Sequence, residues 1–379
     1  MDLSRVFHEF ETPSDEPWSC NGVRSRMVKY SVSLGHIVRV GTLSEQKLST
    51  YRLIREAAEE RRFEDAAALA EIFEHEANVI HSEFEHHIPS VRTFLLKRGE
   101  RETTVMNADA TILGKLRHPD GRPHESKRLW HEFRSETKEL IRLAGAEDRD
   151  KCLTQCDAMK EHWRRLHDRD CDHLTGLLSE VMRVCGEEGV RDLWTDMDQW
   201  SFARRYSRYD VSEVPWEQSL GALLYITFES GRGHLMGPDR TGDVEFFEER
   251  DRWVWVWDPC GTCGRLVRGD HIEGTPPRME PPYNWPVLGG PHEWAWGKKG
   301  VSVYGAQSCI KLAQIAIDAF GYPIRIVNCP TYPEGRNLPC YRYVYKDPAL
   351  VPEEEYGRVG RARPEHFGSR RDVVPTRSA

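Results

Sequence analysis

A chain of 379 residues, 39% apolar and 30% charged, is long enough for two ordinary domains and too apolar to stay disordered. Its net charge of −8 argues against a nucleic-acid partner, which requires a concentrated basic face. No apolar run reaches the roughly 18 residues that cross a bilayer.

The first residues, MDLSRVFHEFETPSDEPWSC, contain no basic stretch leading into an apolar one, so no secretory signal is read and a cytoplasmic setting is expected. In that setting the ten cysteines read as thiols or metal ligands rather than as a disulfide framework.

Residues 1–42 read as an irregular N-terminal segment. From 43 to 194 the text is helical in period, with segments Ser44–Arg61, Glu64–His87, Ser126–Ala144 and Asp148–Cys185. Glu64 and Asp65 favour a helix start, Pro89 is expected to end that helix, and Gly186 to cap the fourth segment. The stretch Asn107–Pro123 reads as a connection. Helices of this kind, each with one apolar stripe, pack most simply as a bundle.

Residues 195–350 change character. Asp243–Glu248 and Trp253–Asp258 read as a hairpin, Tyr304–Phe320 as a helix closed by Gly321, and Tyr322–Cys329 and Cys340–Lys346 as two strands around a Pro/Gly loop. The segment between, Asp270–Gly300, carries Tyr283, Trp285, Trp294 and Trp296. A loop that long and that aromatic is expected either to wall a pocket or to form a second layer of core. The fold class is therefore α+β: a mainly helical N-terminal bundle followed by an antiparallel-sheet domain with a packed helix and a long aromatic loop. Residues 351–379, with Arg358, Arg361, Arg363, Arg370, Arg371 and Arg377 among small residues, read as a basic, disordered tail.

The stretch RWVWVWDPCGTCGR carries the sharpest chemical signal. Strand alternation puts Trp253, Trp255 and Trp257 on one face, which must lie under the helix or the loop. Pro259 has no N–H to give and ends the ladder. Cys260 and Cys263 then turn two sulfurs toward one point, which is half of a tetrahedral zinc site. Cys329 and Cys340, at the two ends of the hairpin loop, are the natural second half. The other reading is a redox dithiol or ordinary buried cysteines.

Weaker signals point elsewhere. His292 and Glu293 in the aromatic loop offer a base beside an open metal, and Cys309 in the first turn of its helix is a candidate nucleophile. Arg265, Arg232 and Trp294 are candidates for holding a small anionic or aromatic molecule. Glu83 with His86, and Asp170 with His173, repeat a carboxylate-x-x-histidine spacing that in bundles binds iron or manganese. The run Gly321–Lys346 resembles the end of small-molecule-binding domains of the 4-vinyl-reductase kind, in its order of helix, strand, cysteine, loop, cysteine and strand. No residue role is carried over from it.

Three functions follow as expectations. The first is a metal-dependent enzyme, hydrolase or lyase in type, acting on a small anionic or aromatic organic molecule. The second is a zinc-stapled small-molecule-binding or regulatory module without catalysis. The third is a di-metal oxidoreductase of the helical bundle. Neither a dinucleotide fingerprint nor a phosphate-binding P-loop is present.

Overall fold

The computed structural model describes residues 6–14, 16–20, 23–205, 209–211 and 213–367. In chain order the elements are α1 (His8–Glu11), β1 (Trp18–Cys20), β2 (Val23–Ser25), β3 (Val28–Ser31), β4 (His36–Arg39), α2 (Leu43–Gln46), α3 (Thr50–Glu59), α4 (Phe63–Lys97), α5 (Glu102–Lys115), α6 (Ser126–Gly145), α7 (Arg149–Arg205) and α8 (Trp216–Gly233). Then come β5 (Glu245–Glu248), β6 (Arg252–Trp257), α9 (Cys263–Arg268), α10 (Gln307–Cys309), α11 (Ala316–Phe320), β7 (Ile326–Asn328), β8 (Cys340–Tyr345) and α12 (Glu353–Gly357). The π-helical Ile310–Ile315 joins α10 to α11 without a break. The fold is α+β.

The N-terminal segment is more regular than its sequence suggests. It forms two small antiparallel hairpins, β1–β2 and β3–β4. Strands this short and polar leave almost no period to read.

Helix α4 overrides its proline. Pro89 removes one backbone hydrogen bond and costs about 3 kcal/mol in a helix interior. Yet the helix runs eight residues further, because Val91 and Leu95 are buried in the core, and two such side chains contribute about 1.5–3 kcal/mol each. Similarly, the expected connection at 107–123 is largely helix α5, held by Val105 and Ile112 on one stripe. Gly186 does interrupt α7 with a positive φ of 71°, but the chain resumes helix to Arg205.

That continuation removes the expected domain boundary at 194. Trp194 is buried on the resumed helix, and its indole donates to the Val303 carbonyl at 2.8 Å. One hydrophobic core then runs from α3 and α4 through α7 and α8 to the sheet and the aromatic loop.

The main sheet is antiparallel with strand order β5-β6-β8-β7. The tryptophan face of β6 is covered, as its composition demands, but by a helix the sequence reading passed over. Phe228 on α8 meets Trp255 edge-on at 5.2 Å, and Phe246 closes the same cluster. The aromatic loop is second-layer core: Tyr283, Trp285, Trp294 and Trp296 are all buried, and Trp285 lies against Gly176 of α7. Within the described residues 351–367 the tail is packed on the fold rather than disordered. Tyr356 and Val359 are buried, and Arg361 pairs with Asp318; Arg370, Arg371 and Arg377 lie outside the described residues.

Candidate functional site

The sheet register assembles the thiols. Trp257 pairs with Cys340, and Asn328 pairs with Tyr341, so Cys329 is carried to the same end of the sheet. The turn after Trp257 brings Cys260 and Cys263 back over that end. Gly261 is required there, since a Cβ would sit 1.9 Å from the His234 carbonyl oxygen. Gly305 closes the other side, where a Cβ would stand 3.3 Å from Cys329 Sγ.

All four cysteines are buried. Cys263 Sγ is 3.6 Å from Cys260 Sγ and 3.3 Å from Cys329 Sγ. Cys263 donates to Cys260 and Cys329 donates to Cys263, and within this cluster the Cys340 thiol is held well below its usual range while Cys263 and Cys329 are pushed up. Four sulfurs this close accept further negative charge only around a cation. With bonds of about 2.3 Å, a tetrahedral zinc tetrathiolate has edges of about 3.8 Å, close to these separations.

Beside the thiols is a polar cavity of about 40 Å³, room for about three waters. Cys263 and Thr262 form one wall; Lys311, Arg325, Arg342 and Glu83 contribute charge to the others. Lys311 reaches Asp198 at 3.2 Å and Glu83 at 3.5 Å, and burial pushes the Asp198 carboxyl up to about 7 despite that ammonium.

Arg342 is held differently. Its guanidinium lies 3.5 Å over the Trp257 ring, it is 6% exposed, and its Nε is buried with no hydrogen-bond partner. Among the described residues no carboxylate pairs with it. The Trp257 face positions the charge, and the same guanidinium favours the thiolate of Cys340.

Close to Lys311, burial and the ammonium hold the His87 imidazole down at about 3. The folded pKa lies below the usual value of about 6.5. Hence the neutral imidazole favours the fold fully above pH 6.5, and this contribution is lost as pH falls from there toward 3. Urea titrations at pH 7 and pH 5 are expected to show stability falling by up to about 1.4 kcal/mol per pH unit from this group. His87→Gln should flatten that slope; identical slopes in both proteins would contradict the assignment.

Most other residues singled out by sequence are engaged elsewhere. His292 hydrogen-bonds Glu187 and stacks on Trp294, so it is no base for a metal or for Cys309, and Trp294 faces it rather than a ligand. The Glu293 carboxylate packs against Gly360, and its backbone carbonyl accepts from the Cys309 thiol at 3.5 Å. Cys309 does begin a helix, but burial dominates and pushes its thiol up to about 12, far from a nucleophilic thiolate. Arg232 is spent on Glu76 at 2.5 Å, and Arg265 on Asp172 at 2.5 and 3.2 Å. Both are internal braces, not ligand holders.

The proposed di-metal set does not assemble. Glu83 faces Lys311, and His86 stacks on Trp200. Asp170 accepts from His124 and Ser126, and His173 pairs with Asp109. Helical spacing placed each pair on one face but could not show which neighbour would claim it. The cavity cations went unnoticed in the sequence for the same reason.

A scan against protein-family models, a search of curated proteins and a search of solved structures each return no match. No helix among the described residues is long and apolar enough to cross a membrane.

Proposed function

We propose that the chain is a zinc-stapled protein that binds a small anionic molecule, a carboxylate or comparable oxyanion, in the cavity beside the thiols. In this reading Cys260, Cys263, Cys329 and Cys340 hold one zinc in a closed, structural site. Four thiolates leave no coordination position for a substrate, so the metal fixes the cavity wall and does not itself carry chemistry. The observation that carries the proposal is Arg342, a buried guanidinium stacked on Trp257, lining a polar cavity and lacking a carboxylate partner. A buried cation of this kind is stabilised by an anion supplied from outside. The many reduced thiols suit a cytoplasmic setting.

Calorimetric titration of the full chain with formate, acetate and inorganic phosphate tests this reading. At least one anion is expected to bind saturably, and Arg342→Gln to weaken it about 10–100-fold, the worth of one charge-assisted hydrogen bond. No binding by the folded protein at millimolar anion, or equal binding by the variant, would sink the proposal.

One observation favours a catalytic version, hydrolase or lyase in type. The Asp198 carboxyl, raised to about 7, is joined through Lys311 to the cavity and matches a proton carrier at neutral pH.

A further inference from the structure

Three side chains from three separate elements, none of them lining the cavity, meet near the middle of α4. His36 opens β4, His75 lies in the middle of α4, and Glu229 is near the end of α8. Glu229 Oε1 is 2.9 Å from His36 Nε2 and 3.7 Å from His75 Nε2. The two imidazole rings lie 4.3 Å apart at their centroids, and the three ligand atoms all fall within 4.8 Å of one another. We infer that His36, His75 and Glu229 form a second metal site, separate from the thiols, that takes a divalent first-row transition ion such as zinc.

The chemistry of the donor set supports this assignment. Two imidazoles and one carboxylate are the ligands of open zinc centres and of two-histidine, one-carboxylate iron centres. Bonds of about 2.0–2.1 Å in a tetrahedron give ligand separations near 3.4 Å, between the two seen here. The carboxylate is the buried member, 2% exposed, while the histidines are 22% and 24% exposed. The anchoring is rigid on each side. Next along α4, Glu76 is fixed by Arg232 and Thr50, and at the far end of β4 the Arg39 amide donates to Tyr225 of α8. The site stands on imidazole and carboxylate ligands, in contrast to the soft thiolates of the first.

Elemental analysis of the full chain after dialysis against zinc tests the inference, with His36→Ala, His75→Ala and Glu229→Gln as three separate variants. Wild type is expected to hold about two zinc ions per chain and each variant about one, with unchanged circular dichroism. In protein produced with cobalt, each variant should keep the sulfur-to-cobalt charge-transfer band while losing absorption that lacks sulfur character. Glu229→Gln preserves shape and hydrogen bonding to the histidines, so it reports metal loss even if an alanine variant misfolds. The result does not depend on the thiol centre: were the cysteines to bind nothing, wild type would hold one ion and the variants none. Equal zinc content in wild type and a folded Glu229→Gln protein would overturn the site.

Discussion

Cys263→Ser is expected to lose the tightly held zinc and to unfold the sheet end of the molecule. Cys263 stands in the middle of the cluster, in contact with Cys260 and Cys329. Serine keeps the shape but replaces a soft thiolate with a hydroxyl that binds zinc poorly. Structural zinc contributes roughly 10–16 kcal/mol of apparent binding free energy in small zinc-finger peptides at neutral pH. A domain's whole stability is about 5–15 kcal/mol, so losing even part of this is decisive. The staple joins the ends of β6, β7 and β8, and its loss frees the turn that bears Gly261 and the first turn of α9. The expected readouts are about one zinc fewer per chain than wild type by elemental analysis and rapid amide exchange in β7, β8 and α9. A Cys263→Ser protein that held as much zinc as wild type and melted within a degree or so of it would contradict the staple.

Asp168→Ala is expected to destabilise the protein by about 3–5 kcal/mol, the cost of breaking a buried ion pair on one side only. Asp168 is buried on α7, and its carboxylate accepts from Arg240 at 2.6 and 3.0 Å, from Arg164 at 3.4 Å and from His167 at 2.8 Å. Burial works to raise its pKa, but Arg240, Arg265 and His167 hold it well below the usual carboxylate range. Arg265 continues the network to Asp172, which Arg278 of the aromatic loop also contacts at 2.8 Å. Removing the Asp168 carboxylate strips the buried Arg240 of its carboxylate partner, while Arg164 keeps Glu273 and Arg265 keeps Asp172. Because Arg265 belongs to α9, the effect should reach the thiol turn as well. Chemical denaturation measures the loss; a change below about 1 kcal/mol would mean that water or relaxation replaces the pair.

How much of this could be read from the sequence differs from one element to the next. The paired cysteines were legible because the spacing Cys260-x-x-Cys263 and the hairpin ends Cys329 and Cys340 are local facts that strand register converts directly into proximity. The β5–β6 hairpin, the helix ending at Gly321 and the α4 core stripe of Leu69, Phe73, Ala77, Ile80 and Phe84 were legible from period alone. Helix α8 was missed because nearly every side is buried, which blurs its amphipathic signal. The arginines were misread because a guanidinium carries no mark of its future partner. Arg265 and Arg342 look alike in the sequence; one meets Asp172 and the other stacks on an indole face beside the Cys340 thiol. His36, His75 and Glu229 are too far apart along the chain for any spacing rule to join them.

The central claim is that four cysteines hold one metal at the end of the tryptophan strand. Optical spectroscopy of the full chain produced with cobalt in place of zinc tests it most directly. The account predicts a strong sulfur-to-cobalt charge-transfer band with tetrahedral ligand-field absorption, diminished or lost when any one of Cys260, Cys263, Cys329 or Cys340 becomes serine and unchanged when Cys309 does. Cobalt protein with no charge-transfer band, or a band that survives all four replacements, would contradict it.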